Sequence, residues 1–374
     1  MHNLKIALCV GESSGDNLGL ELIKDLKNHI KNIEIIGVGG PLLEKEGLKS
    51  LFKISEISYM GLIDPLLNLK KILKKRKELI DYIKKEKPDL FIGIDSPSFN
   101  SGICKTLKRE TNIKTIQYVC PQFWAWRYGR VKKFNDLYDR VFSLFPFESN
   151  LLKKHNVVHS YVGHPLAKKI PLDINKDEYK AKLGLDKKNK IISLLPGSRK
   201  SEIKYHYRPI CDAVNLFNTN EDISFLLAVN EETKIPKEFL KYTPENLRII
   251  KGKTQDVLAA SDFALVTSGT ATLEAALFKS PMIVIYRSNS ISNFILSNFF
   301  LRTKYISLPN VLTQKNIVKE IRQKDVNGLN INLSLRELMT ERNTQKENFI
   351  NLHKDLIADD KNKFINAIKE TLSK

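Results

Sequence analysis

At 374 residues the chain exceeds what one hydrophobic core ordinarily supports, and a 42% hydrophobic content suffices for two cores. Lys and Arg total 61 against 42 Asp and Glu, a formal charge of +19 that points to anionic partners: nucleic acid, a phosphate-bearing substrate or an acidic membrane surface. A surface simply rich in lysine is the plain alternative. Cys9, Cys104, Cys120 and Cys211 are far apart and form no CxxC pair, so buried free thiols in a reducing compartment are expected rather than a zinc site or a disulfide framework.

The start of the chain, "MHNLKIALCVGE", runs directly into a strand pattern without signal-peptide architecture. Apolar runs that end in Gly, Pro or Asp then recur ahead of helix-like segments: "KIALCV", "IEIIGVGG", "DLFIGID", "KTIQYV", "RVFSLF" and "HSYVG". After a charged connector near Leu172 to Asn189 the pattern restarts with "KIISLLPG", "SFLLAV", "LRIIKG", "FALVTSG" and "MIVIY". Strands alternating with helices predict parallel sheets covered on both faces, and two such series predict two doubly wound α/β domains. Ligands of such sheets bind at the carboxyl ends of strands, which for facing domains means the cleft. The expected boundaries are 1–170 and 171–344, with the helical segment 345–374 packing back on the first domain. The greasiest stretch, Phe294 to Leu301, is broken by Ser297 and Asn298 and too short to span a bilayer, so a soluble or peripheral protein is expected.

Every candidate site element follows a strand. "CVGESSGDNLG" places Gly11, Ser13, Ser14, Gly15 and Gly19 at the first turn, where small residues let a ligand approach the backbone and a helix N-terminus; a tight strand-to-helix turn explains it equally well. "LFIGIDSPSFN" sets Asp95 behind a wholly apolar strand, either as a general base for a substrate hydroxyl or as a cap of the next turn. "LLPGSRKSE" offers Gly197, Ser198 and Arg199; an Arg at a helix N-terminus opposes the dipole unless an anion shares the site, although a plain surface Arg also fits. In "ALVTSGTATLEAALF", Ser268, Gly269 and Thr270 offer hydroxyls and N–H groups to phosphate. Glu274 lies one turn inside and has Ala271 where a capping box needs Ser or Thr, so its carboxylate is available to ribose hydroxyls.

Together "GESSGD", "GIDSPSFN", "WAWRYGRVKK", "FPFE", "YVGHPLA", "LLPGSRKSE", "SGTATLEAALFKSPMIVIYR" and "YISLPNVL", in this order from about Gly11 to Gln323, resemble the lipid-A-disaccharide synthase family of glycosyltransferases. The resemblance implies the GT-B fold, two facing Rossmann-like domains with the active site in the cleft, and no metal or cofactor. It implies inverting transfer of 2,3-diacylglucosamine from its UDP derivative to the 6-hydroxyl of 2,3-diacylglucosamine 1-phosphate, on the cytoplasmic face of an inner membrane, by a monomer or homodimer. Asp95 is then the base and Arg199 the diphosphate partner. Gly197, Ser198, Ser268, Gly269, Thr270, Glu274, Asn310 and Gln323 hold UDP, while Gly11, Glu12, Ser14, Gly15, Asp16, Trp124, Trp126 and Arg127 line the acceptor side. The chain departs from the family at Ser98, where a second Asp is usual, so Asp95 acts alone; it also departs at Cys120, Gln122 and Phe123.

Both tryptophans of the chain fall in "PQFWAWRYGRVKK". Packing that shapes the loop, contact with substrate and membrane insertion are all open uses. A clearer membrane candidate is "GLIDPLLNLKKILKKRKELIDYIKKEK", with Leu66, Leu69, Leu73, Ile80 and Ile83 at helical spacing beside Lys70, Lys71, Lys74, Lys75, Arg76 and Lys77; packing of that stripe on the sheet is the alternative. Lysine is spread along the whole chain with no recognisable binding module, which argues against nucleic acid. A UDP-sugar epimerase or another GT-B enzyme acting on UDP-N-acetylglucosamine-type donors is the runner-up within enzymes, and a catalytically dead sensor is disfavoured by the presence of Asp95, Arg199 and Glu274.

Overall fold

The computed structural model describes residues 3–58, 68–124, 128–217, 222–288, 304–340, 344–358 and 362–373. They form two compact units, Met1–Pro165 together with Ala358–Lys374, and Leu166–Ile357.

The first unit holds a seven-stranded sheet of β1 (Asn3–Val10), β2 (Asn32–Val38), β3 (Lys49–Ser50), β4 (Leu90–Ile94), β5 (Lys114–Tyr118), β6 (Arg140–Ser143) and β7 (His159–Tyr161), in the order β3-β2-β1-β4-β5-β6-β7. Its paired strands are parallel. Every residue of β4 is buried, as its unbroken apolar sequence demands of a central strand. The helix Lys363–Leu372 returns to this sheet. Phe364 packs edge-on against Tyr118 and Phe142, with ring centroids 5.4 and 5.5 Å away. The buried Arg140 guanidinium donates to Thr371 Oγ1 and Glu370 Oε2, both at 2.8 Å.

The second unit holds a six-stranded parallel sheet of β8 (Lys190–Leu195), β9 (Ile223–Val229), β10 (Leu247–Lys251), β11 (Phe263–Thr267), β12 (Met282–Tyr286) and β13 (Lys319–Arg322), in the order β10-β9-β8-β11-β12-β13. The helix Gln345–Leu356 belongs here: the Gln345 amide accepts from the Met282 N–H at 2.8 Å and donates to its carbonyl at 3.2 Å. Within the expected return of 345–374, the segment that packs on the first unit therefore starts at Ala358.

The basic helix runs from Leu69 to Glu86 and stops because Lys87, which precedes Pro88, takes the left-handed conformation (φ 46°). Its apolar stripe is divided. Leu79, Ile80 and Ile83 are buried in the core, whereas Leu69 and Leu73 are 48% and 47% exposed; Leu66 lies outside the described residues. Among the described residues no helix is long and apolar enough to cross a membrane.

Candidate active site

Each sheet reverses its strand order once, between β1 and β4 in the first unit and between β8 and β11 in the second, and loops leaving the strands at a reversal diverge to form a crevice. In the first unit, register decides what is delivered there. Cys9 pairs with Gly93 and Val10 with Ile94, so β1 and β4 end level and set Gly11 beside the Asp95 turn. Gly11 is obligatory: a Cβ at this position would overlap the Ser96 side chain. Gly15 packs under the turn against Val10 and Ile94.

Asp95 (φ 54°), Ser96 (φ 40°) and Val119 (φ 73°), the last directly after β5, are all left-handed. Such backbone costs on the order of 1–3 kcal/mol per residue, most for a β-branched side chain, and persists only where its surroundings over-determine it. The surroundings here are specific. The Asp95 N–H donates to the Tyr118 carbonyl at 3.0 Å, and the Asp95 carbonyl accepts from the buried amides of Asn100 (2.8 Å) and Gln117 (3.0 Å). Gly93 makes room for Asn100, since a Cβ there would stand 2.7 Å from the Asn100 Cβ.

The main chain of Asp95 is thereby fixed, and the residue lines a cavity of about 210 Å³ with Val119, Cys120, Gln122, Phe123 and Arg130. Burial raises the Asp95 pKa above the ordinary aspartate value, and a hydrogen bond from the Ser96 backbone opposes the rise. The helix Pro97–Glu110 starts beside it, and its dipole likewise favours the carboxylate. A desolvated carboxylate on a rigid turn is a stronger base than one in water.

Asp16 does something else. Its buried carboxylate accepts from the N–H groups of Gly40 and Leu42, both at 2.9 Å, and Leu43 at 3.4 Å, so it closes the start of the helix Pro41–Lys45. Glu12 occupies the N-cap position of the helix Ser13–Lys27, and Ser14 is exposed on its first turn. Trp126 and Arg127 lie outside the described residues.

Trp124 is half-buried, its ring edge against Phe147 (5.0 Å between centroids), and its indole N–H donates to Glu148 Oε1 at 3.2 Å. Packing that shapes the loop is the use this geometry displays. Glu148 is the residue that sequence reasoning missed. Its other oxygen accepts the Leu144 and Phe145 N–H groups, both at 3.3 Å, and burial pushes its pKa up to about 8 against these donors. The signal was present in "FPFE": Pro146 opens a helix and Glu148 holds the capping position, three residues after Phe145.

In the second unit β8 ends at Leu195, the chain turns through Gly197 (φ 101°), and the helix Lys200–Asn215 begins. The Ser198 and Arg199 N–H groups, which the sequence offers to a diphosphate, donate to Glu202 Oε2 at 2.8 and 3.1 Å. The Arg199 guanidinium stands 3.6 Å from the second Glu202 oxygen and is 60% exposed, so the side chain rather than the backbone is what this loop presents to an anion.

After β11, Gly269 (φ 151°) opens the helix Thr270–Leu277, and both Gly269 and Thr270 are exposed. The Ser268 hydroxyl donates to the Ile306 carbonyl at 2.7 Å, and Thr272 Oγ1 accepts the Leu308 N–H at 3.1 Å, which ties this loop to the "SLPN" turn. Glu274 is held above the ordinary glutamate pKa by burial, with the Gln255 amide and the Lys169 charge acting against the shift. Gln323 is left-handed (φ 53°) and accepts the Ser288 N–H at 3.4 Å.

Asn310 is engaged within the protein. It is fully buried; its amide donates to Val318 O (2.8 Å), Glu320 Oε1 (2.9 Å) and Asn316 Oδ1 (3.3 Å), and its oxygen accepts the Ile317 and Val318 N–H groups, both at 2.9 Å. A side chain committed in this way builds the turn and has little left for a nucleotide. Its partner Glu320, also unforeseen, accepts the Ile306 and Ser307 N–H groups and the Ser307 hydroxyl, and pairs with Arg322.

Two doubly wound units, each gathering glycine turns and a half-buried carboxylate at its reversal, place the chain in the GT-B class of α/β folds. Solved structures share that architecture over the whole chain at identities that speak only for fold: the UDP-GlcNAc 2-epimerase from Neisseria meningitidis (TM-score 0.63, 14% identity, 100% of each chain) and MurG from Acinetobacter baumannii (TM-score 0.55, 12% identity, 100% of each chain). The family model described as lipid-A-disaccharide synthetase matches residues 6–374. The lipid-A-disaccharide synthase of Colwellia psychrerythraea is 39% identical over 373 residues, 98% of this chain and 94% of that protein. The chain belongs to the lipid-A-disaccharide synthase family and is a glycosyltransferase.

Proposed function

We propose that the chain transfers 2,3-diacylglucosamine from UDP-2,3-diacylglucosamine to the 6-hydroxyl of 2,3-diacylglucosamine 1-phosphate, giving a β-1,6 disaccharide and UDP. The observation that carries the reading is Asp95, a desolvated carboxylate on an over-determined turn, facing a cavity suited to one sugar ring. Asp95 takes the proton of the 6-hydroxyl as its oxygen bonds to the donor's anomeric carbon from the face opposite UDP. The anomeric carbon–oxygen bond breaks, its electron pair leaves with the diphosphate, and the configuration inverts. Arg199 offsets the charge that develops there, aided by the helix N-terminus at Gly269 and Thr270. Glu274 accepts from the ribose hydroxyls, Gln323 and Ser268 shape the rim, and Asn310 keeps the neighbouring turn in place.

The acyl chains of both substrates call for access to a lipid surface. Exposed Leu69 and Leu73 stand beside exposed Lys70, Lys71, Lys74 and Lys77 on the basic helix, and each cation near an acidic leaflet contributes about 1 kcal/mol. This helix docks the protein on the cytoplasmic face of the inner membrane. The purified protein, incubated with the two diacylated sugars in anionic vesicles, should release UDP and float with the vesicles. Absence of disaccharide sinks the reaction, and absence of flotation at low salt sinks the docking.

A further inference from the structure

We propose that Arg130 is the specificity residue of the acceptor site, binding the anionic phosphate of the sugar whose hydroxyl Asp95 deprotonates. The inference rests on the function proposed above and goes beyond it by assigning what recognises the phosphate. Arg130 and Asp95 line the same cavity, and among the described residues that line it they are the one cation and the one carboxylate. The remaining wall is largely apolar, with Pro97, Val119 and Phe123, so a charge–charge contact inside it is screened less than on an open surface. At about 210 Å³ the cavity is smaller than the roughly 300–1,000 Å³ of sites that enclose drug-sized ligands. It takes one sugar ring with its substituents and leaves acyl chains outside.

Arg130 is also well anchored. It belongs to the 3-10 segment Tyr128–Lys133, in which Val131 is buried in the core. Tyr128 bonds His155 Nε2 through its hydroxyl at 3.1 Å and packs on Phe123, 5.6 Å between centroids. Its backbone is thus held on both sides where the residue lines the cavity. A planar guanidinium can grip a phosphate through two parallel hydrogen bonds, a geometry that lysine cannot reproduce. The site then has one group for each end of the ring: a base for the hydroxyl and a cation for the phosphate.

The test is a ratio. kcat/KM is measured for 2,3-diacylglucosamine 1-phosphate and for the same sugar without its phosphate, with UDP-2,3-diacylglucosamine saturating. The parent should prefer the phosphorylated acceptor; R130A should lose about 10- to 100-fold on it, the size of a charge-assisted hydrogen bond, and little on the other. R130K should fall between. Urea unfolding followed by circular dichroism, with UDP present to mark the second unit, checks that the first unit of each variant is folded, and R130Q and R130K supply the same ratio if R130A does not accumulate. A parent with no preference, an unchanged R130A, or an equal loss on both acceptors overturns the assignment. D95N should lower turnover on both acceptors and keep the ratio, so failure of the base reading is distinguishable from failure of this one.

Discussion

Asn310→Ala separates a residue that binds a ligand from one that builds the turn behind it. The substitution leaves the buried Val318 N–H and the part-buried Ile317 N–H without the oxygen that accepts them at 2.9 Å, and removes a donor from Glu320. An unsatisfied buried polar group costs about 1–3 kcal/mol, less where water can enter, so the sum is on the order of 2–6 kcal/mol. That is a large share of the roughly 5–15 kcal/mol by which a domain is ordinarily stable. Urea unfolding followed by circular dichroism, repeated with UDP present to mark the second unit, should show that unit's transition moving to lower urea. Hydrogen exchange at Ile317 and Val318 should accelerate while the folded fraction still binds UDP. Asn310→Asp keeps the accepting oxygen but sets a carboxylate against Glu320, so it too should destabilise. If Asn310→Ala unfolds at the parental urea concentration and nonetheless loses UDP, the side chain contacts the nucleotide and the reasoning fails.

Asp95→Asn should lower kcat by about 10²- to 10⁴-fold while UDP affinity is kept, whereas Arg199→Ala should reduce both; turnover and calorimetry on the same proteins distinguish them. Because burial raises the Asp95 pKa and the base must be ionised, the acid limb of the kcat/KM profile should lie above the ordinary aspartate range and vanish in Asp95→Asn. Glu274→Ala should raise the donor KM with kcat nearly kept, since a ribose contact serves ground and transition states alike; a large kcat loss at saturating donor contradicts this role. Glu148 has a folded pKa of about 8, above its unfolded value, so its contribution to stability is whole below the unfolded pKa and is lost as pH rises through about 8. Trp124 should report that titration, its fluorescence in a W126F background shifting near pH 8 and the shift disappearing in Glu148→Gln; a flat profile removes the coupling.

Much of the fold is visible in one dimension because parallel strands buried on both faces need unbroken apolar runs, and each run named from the sequence forms a strand. The two strands without such a run were not foreseen. β3 has two residues, too few for any pattern, and β13, "KEIR", sits at a sheet edge where only Ile321 is buried and Glu320 serves as a clamp. Helical periodicity over the end of the chain predicts helices but not which sheet they cover. Gln345 settles that for one helix by bracketing Met282, and Phe364 for the other by filling the space between Tyr118 and Phe142.

For the site, spacing reveals where the loops are and not which lone pairs remain free. Asp16, Glu202 and Asp95 stand in motifs that follow strands, Asn310 stands in the "SLPN" segment ahead of β13, and all carry oxygens that suit a ligand. In Asp16 those oxygens accept the backbone N–H groups at the start of the next helix, in Glu202 those of the turn that leads into its own helix, and in Asn310 those of Ile317 and Val318. At Asp95 the backbone carbonyl and N–H bond Asn100, Gln117 and Tyr118, the carboxylate accepts from the Ser96 backbone, and the residue lines the cavity. The left-handed backbone at Asp95 and Ser96 is what permits this division, since it directs the main chain into the clamp of Asn100 and Gln117. Strain at that turn therefore sets Asp95 apart from the capping side chains: its main chain is fixed by Asn100, Gln117 and Tyr118, and its carboxylate accepts from the neighbouring Ser96 backbone beside the cavity.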